Sequence, residues 1–144
     1  MGTTDLDDIL VTKLSKIDID KGNVMHAIKA NDRGFVGFGE AYFSLIKKNE
    51  IKGWKLHNEM VMNLVVPIGN VKFVFYQKNQ DSLKEFRIES IGEDNYCRLT
   101  VPTGIWFGFQ GLSEPVNVVL NISNIEHNAK EQENMKLNDK TFDW

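Results

Sequence analysis

The chain has 144 residues, 42% apolar and 26% charged, which is the size and composition of one globular domain over residues 1–144 and excludes disorder over most of its length. Its 17 basic and 20 acidic residues give a formal charge of −3, and no basic run exceeds Lys47-Lys48, so the footprint of a nucleic-acid-binding protein is absent. The lone Cys97 excludes an intrachain disulfide framework, and no apolar run reaches the length of a membrane span, so the expectation is a cytoplasmic protein with no membrane partner.

Along the chain, residues 1–9 read as a flexible N-terminus without a signal-like or lipidation context. Short period-two segments then recur: Leu10 to Ile17, Asn23 to Ala30, Gly39 to Ile46, Lys52 to His57, Met60 to Pro67, Val71 to Gln77, Phe86 to Ile91, Tyr96 to Val101, Ile105 to Gln110 and Val116 to Ile122. Turn-forming residues separate them at Asp32-Arg33-Gly34, Ile68-Gly69-Asn70, Ile91-Gly92-Glu93 and Pro102-Thr103-Gly104. The one helical stretch, Glu126 to Met135, is largely polar and reads as a few surface turns or a loop. There is no room for the helices that parallel strands require, so the strands are antiparallel, in a closed barrel or a jelly-roll sandwich. Both faces of Val71 to Tyr76 are apolar, which fits packed sheets, a dimer contact or a central buried strand.

Candidate chemistry concentrates in Lys52-Gly53-Trp54-Lys55-Leu56-His57-Asn58-Glu59. Strand alternation puts Trp54 and Leu56 on one face and Lys55 and His57 on the other, where a cation and an imidazole together suit an oxyanion, a phosphate or a proton transfer; on an outer face they are simply solvated. Arg33 can recognise a phosphate or belong to a charged turn. Tyr42, on the same strand face as Glu40, is the preferred phenolic acid among Tyr42, Tyr76 and Tyr96. Asn63 and Arg98 interrupt apolar strands and need polar partners, and Trp106 can form an apolar wall beside a sugar or base. The spread of His26, His57, His127 and Cys97 offers no diagnostic metal-ligand spacing, so no metal and no cofactor are expected.

The run Gly34 to Gly69, the stretches Gly92-Glu93-Asp94-Asn95-Tyr96 and Thr100-Val101-Pro102-Thr103-Gly104-Ile105-Trp106-Phe107-Gly108-Phe109, and Asp143-Trp144 resemble the nucleotide diphosphate 4-keto-6-deoxyhexose 3,5-epimerases of the cupin superfamily. The resemblance covers roughly Asn23 onward. It implies an all-β cupin fold, a double-stranded β-helix or jelly-roll barrel of mostly antiparallel strands with little helix. It also implies a metal-independent isomerase of nucleotide-diphosphate sugars, forming a homodimer and serving surface polysaccharide synthesis. The family's Arg-Gly-Leu-His-x-Gln stands here as Lys52-Gly53-Trp54-Lys55-Leu56-His57, so its histidine falls on Lys55 and its glutamine on His57. The family's lysine falls on Met62, a second histidine on Phe107, and its tyrosine near Glu126 or His127. A relocated set follows, with His57 as base, Lys55 as oxyanion stabiliser and Tyr42 as acid. Arg33, Lys52 and Arg98 would take the diphosphate, and Glu40, Asn63 and Trp106 other parts of the substrate. The alternatives are a sugar 3,4-ketoisomerase, whose Arg-Gly-x-His-x-His would match its second histidine to His57, and a non-catalytic sugar-nucleotide-binding cupin.

Overall fold

The structure, a computed structural model, describes residues 4–77, 86–139 and 142–144. Of the N-terminal segment expected to be flexible, residues 1–3 lie outside the described part. The remainder is anchored, because Leu6 and Ile9 are spaced to enter the core together and a 3-10 turn over Leu6–Asp8, capped by Asp5, joins them. Arg87 fixes this turn by donating to the carbonyls of Leu6, at 2.6 Å, and Ile9, at 3.1 Å.

The first expected strand is two, β1 (Leu10–Lys13) and β2 (Lys16–Ile17), and the second contracts to β3 (Val24–Met25), which pairs with β2. The remaining period-two segments form β4 (Glu40–Ile46), β5 (Ile51–His57), β6 (Met62–Ile68), β7 (Asn70–Tyr76), β8 (Phe86–Gly92), β9 (Cys97–Val101), β10 (Trp106–Gly111) and β11 (Asn117–Ser123). A further strand, β12 (Gln132–Asn134), arises inside the polar stretch expected to be turns or loop, and it pairs with the edge of β5.

These strands build two five-stranded sheets, ordered β1-β9-β6-β11-β4 and β12-β5-β10-β7-β8, with every pairing between named strands antiparallel. The mostly antiparallel cupin-like fold with little helix is therefore present, but the expected closed barrel is not. Among the described residues each sheet ends on two edges, β1 and β4 in one and β12 and β8 in the other, and no ladder closes either. Alternation reports which face of a strand is buried, and an open sandwich satisfies it as well as a closed ring.

The inner faces meet in one core. Met62 and Leu64 of β6 and Val119 of β11 pack with Phe73 and Phe75 of β7 and with Phe107 and Phe109 of β10. The chain crosses between sheets at Gly69, where φ is +80° and a Cβ would stand 2.2 Å from Asn117 Oδ1. That oxygen accepts from the N–H groups of Asn70 and Ser113, satisfying the corner.

The outer face of β7 explains the double-sided apolar pattern. Val74 and Tyr76 join Trp54 in a second cluster, covered by Met135, Leu137, Phe142 and Trp144 of the same chain. The Trp54 and Trp144 rings lie 5.5 Å apart, and Phe142 meets Trp144 edge-on at 5.0 Å. The C-terminal segment thus acts as a lid on this sheet.

Candidate active site between the sheets

A cavity of about 390 Å³ lies between the two inner faces, a volume in the range of small-ligand sites. Its apolar wall comes from Met62, Leu64, Phe73, Phe107, Phe109 and Val119, and its polar groups come from opposite sheets: Tyr42, Ser44 and Asn121 on one, Lys52, Lys55 and Asn134 on the other.

Strict alternation would put only one of Lys52 and Lys55 on the inner face. Both line the cavity because the β5–β10 register shifts between Phe107 and Gly108: Phe107 faces Lys55 and Gly108 faces Gly53, leaving Trp54 as the extra residue. The bulge sends Trp54 to the outer cluster, where it is 1% exposed, and turns Lys52 inward opposite Phe109. Lys52 Nζ donates to Ser44 Oγ at 3.0 Å and to the Leu45 carbonyl at 2.8 Å, bridging the two sheets. The Lys55 ammonium forms no hydrogen bond or ion pair with the described residues, leaving it available to a ligand.

His57 shares the inner side of β5 with Lys55, yet it is buried and is not a wall residue; the wall there is Phe107, whose ring stacks on the imidazole at 5.9 Å. Its Nδ1 lies 2.5 Å from Glu131 Oε2. The other carboxylate oxygen, Glu131 Oε1, accepts from the N–H groups of Glu59 at 3.0 Å and Met60 at 2.8 Å. Burial pushes the Glu131 carboxyl pKa up, but the hydrogen bonds from His57 and from those two N–H groups outweigh it and hold it below the ordinary value of 4.5. A carboxylate on Nδ1 fixes the proton there and leaves Nε2 with the basic lone pair. Nε2 is itself buried with no partner among the described residues. The pair is built like a general base held by an orienting carboxylate. Among the described residues no third His, Cys, Asp or Glu joins them in a cluster suited to a metal ion.

Across the cavity, Tyr42 on β4 accepts a hydrogen bond at 3.0 Å from the amide of Asn121 on β11. The structure thus brings Lys52, Lys55 and Tyr42 to one space and leaves His57 behind its Phe107 wall. It does not bring the other candidates there. Arg98 is fully buried and donates to the Ala27 carbonyl, to Asp32 Oδ2 and to the Arg33 carbonyl. It ties down the loop before β4, and Arg33 meets it through that backbone carbonyl. Asn63 donates to the Gly34 carbonyl at 3.1 Å and accepts from Thr100 Oγ1 at 2.6 Å, fixing the same loop. Glu40 holds the β4 entrance through its carbonyl, which accepts from Ser123 Oγ. Trp106 faces the outer cluster with Trp54. Arg33, Glu40, Asn63, Arg98 and Trp106 are all absent from the cavity wall: Asn63 and Arg98 are satisfied by the loop before β4 and by Thr100 and Asp32, and Trp106 lies one step out of phase with Phe107.

Four polar residues of the site, Ser44, Asn121, Glu131 and Asn134, stand outside the sequence-based expectations. Glu131 sits in a polar run that reads as surface, and it meets His57 only through the pairing of β12 with β5. Asn121 is an inward residue of β11, and its alternation with Leu120 and Ile122 is the available clue.

No family model matches the chain. The spore coat polysaccharide biosynthesis protein SpsL of Bacillus subtilis is 25% identical over 145 residues, spanning 96% of each chain. A dTDP sugar isomerase of Desulfovibrio desulfuricans superposes with a TM-score of 0.83 at 29% identity, covering 90% of this chain and 85% of that one. The dTDP-4-dehydrorhamnose 3,5-epimerase of Bacillus anthracis, solved with TDP and PPi bound, shares the fold at a TM-score of 0.78 and 20% identity, over 96% of this chain and 84% of that one. The chain thus has the cupin-like fold shared by dTDP-sugar isomerases and dTDP-4-dehydrorhamnose 3,5-epimerases.

Proposed function

We propose that the chain isomerises a nucleotide-diphosphate 4-keto-6-deoxyhexose by removing and returning a proton beside the ketone, in the making of a surface polysaccharide sugar. The observation that carries the reading is the buried His57–Glu131 pair behind the Phe107 wall of a cavity that holds Lys55 and, on the opposite sheet, Tyr42. The ketone acidifies its neighbouring C–H bonds; His57 Nε2 takes the proton, Lys55 stabilises the enolate oxygen, and Tyr42 returns a proton from the other face. Reaching Nε2 requires the Phe107 ring to yield. Lys52, at the cavity rim, is the cation for the diphosphate. The fold relative solved with TDP and PPi supports a nucleotide ligand, and the polysaccharide role of the Bacillus subtilis relative supports the pathway.

The protein acts in the cytoplasm as a homodimer. The outer face of β4, β11 and β6 carries Phe43 at 65%, Leu45 at 57% and Ile68 at 53% exposure, and β11 adds Val118, Leu120 and Ile122 beside them. These residues carry no charge, and their complement is an equally apolar surface such as the same face of a second copy.

A second reading, a non-catalytic sugar-nucleotide-binding relative, is favoured by the place of His57 behind Phe107. Incubation with dTDP-4-keto-6-deoxyglucose followed by nuclear magnetic resonance separates the cases. Inverted configuration at one or two carbons supports the epimerase, migration of the ketone marks a 3,4-ketoisomerase, and binding without turnover marks the binding protein.

A further inference from the structure

Besides the Lys52–Ser44 bond, the cavity has a polar contact between Asn121 and Tyr42 whose direction follows from its surroundings. Asn121 is 2% exposed, and its Nδ2 lies 3.0 Å from the Tyr42 hydroxyl and 3.8 Å from Met60 Sδ. A thioether sulfur only accepts, so the N–H side of the amide must face Met60. The same nitrogen then points its second hydrogen at Tyr42, which makes the phenol oxygen an acceptor. Turning the amide over would keep one bond, from Tyr42 to the oxygen, and would place that oxygen against the sulfur; the observed orientation makes two. Asn121 Oδ1 is buried with no partner among the described residues, as expected if Tyr42 does not donate to it.

We infer that Asn121, oriented by Met60, is a positioning residue that commits the Tyr42 hydroxyl to donate its proton into the cavity. Tyr42 lines the cavity and is 41% exposed, so the free O–H has access to a ligand and to solvent for reprotonation. The inference rests on the proposed isomerase reading and deepens it. His57 Nε2 takes the proton as the substrate C–H bond breaks and leaves an enolate; the Tyr42 O–H bond breaks as a new C–H bond forms on the opposite face, after which the phenolate regains a proton from solvent and the imidazolium gives its proton up to solvent. The net change is an inverted centre, with no electrons gained or lost.

The test follows dTDP-4-keto-6-deoxyglucose in deuterated water by nuclear magnetic resonance, for the wild type, Asn121→Leu, Tyr42→Phe and the double variant. Exchange beside the ketone reports His57, and appearance of inverted product reports the donor. Asn121→Leu is expected to keep KM and the exchange rate within about two-fold while inversion falls about ten-fold, the scale of one lost hydrogen bond in a reaction barrier. Tyr42→Phe, which removes a single oxygen, is expected to lose inversion at least as strongly, and the double variant no more than Tyr42→Phe alone. Inversion at the wild-type rate in Asn121→Leu, additive losses in the double variant, or exchange and inversion falling together would overturn the inference while leaving the isomerase reading intact. Absence of exchange in the wild type would overturn both.

Discussion

His57 Nδ1 and Glu131 Oε2 lie 2.5 Å apart, joined across 74 positions of sequence by the short strand β12. The two oxygens of the carboxylate act separately, since Oε2 orients the imidazole while Oε1 closes the turn after β5 through the N–H groups of Glu59 and Met60. Glu131→Gln keeps a carbonyl oxygen for the turn and loses the charge that holds the imidazole. Proton exchange beside a substrate ketone is expected to fall on the order of 100-fold or more, the usual span for an impaired general base, with the fold retained by circular dichroism.

The same carboxylate makes stability depend on pH. Because the folded-state pKa of Glu131 is held below 4.5, its contribution is fully present above that value and is lost as pH falls through the folded pKa. Asp32 behaves alike from its ordinary 3.8, chiefly through the Lys29 N–H, with Arg98 adding to the effect. The melting temperature is therefore expected to decline as pH drops below about 4.5, and Glu131→Gln to show a shallower decline over the same window. A profile unchanged by the substitution would remove Glu131 from that role.

Arg98 supplies a separate test of structural against ligand-binding roles. Its replacement by Met leaves the carbonyls of Ala27 and Arg33 without their donor and is expected to cost about 3 kcal/mol, read as a drop in the denaturant midpoint. Lys52→Met is expected to do the reverse: a small stability change and roughly ten-fold weaker dTDP binding by calorimetry, with reduced dependence on salt.

Much of the architecture was legible because a strand's burial is written at period two: β4 to β11 follow alternating segments, and Gly69 marks a corner that needs a positive φ. Closure was not legible, since alternation is the same in an open sandwich. The inward turn of both Lys52 and Lys55 was hidden because a bulge shifts the phase after Gly53. Arg98 and Asn63 looked like ligand groups because a polar residue in an apolar strand signals a need for a partner without naming it; the backbone of residues 27–34 supplies it. Glu131 left no local trace, because its partner is distant in sequence and β12 is too short and polar to read as a strand.

Burial raises the Cys97 thiol pKa, with Glu89 adding to the rise and Lys13 opposing it. The protonated, enclosed thiol is expected to react with a disulfide reagent such as Ellman's only at the rate of unfolding, measured by absorbance with and without denaturant. Fast labelling of the native protein would contradict its place in the core.

Whether His57 is the base is decided by the loss of the proton signals beside the ketone of dTDP-4-keto-6-deoxyglucose in deuterated water, compared between the wild type and His57→Asn. Washout by the wild type and none above background by His57→Asn is the predicted result, with dTDP binding unchanged in both. Equal washout by the two proteins would contradict His57 as the base, and dTDP binding without washout by either would mark the chain as a binding protein that does not turn over this substrate.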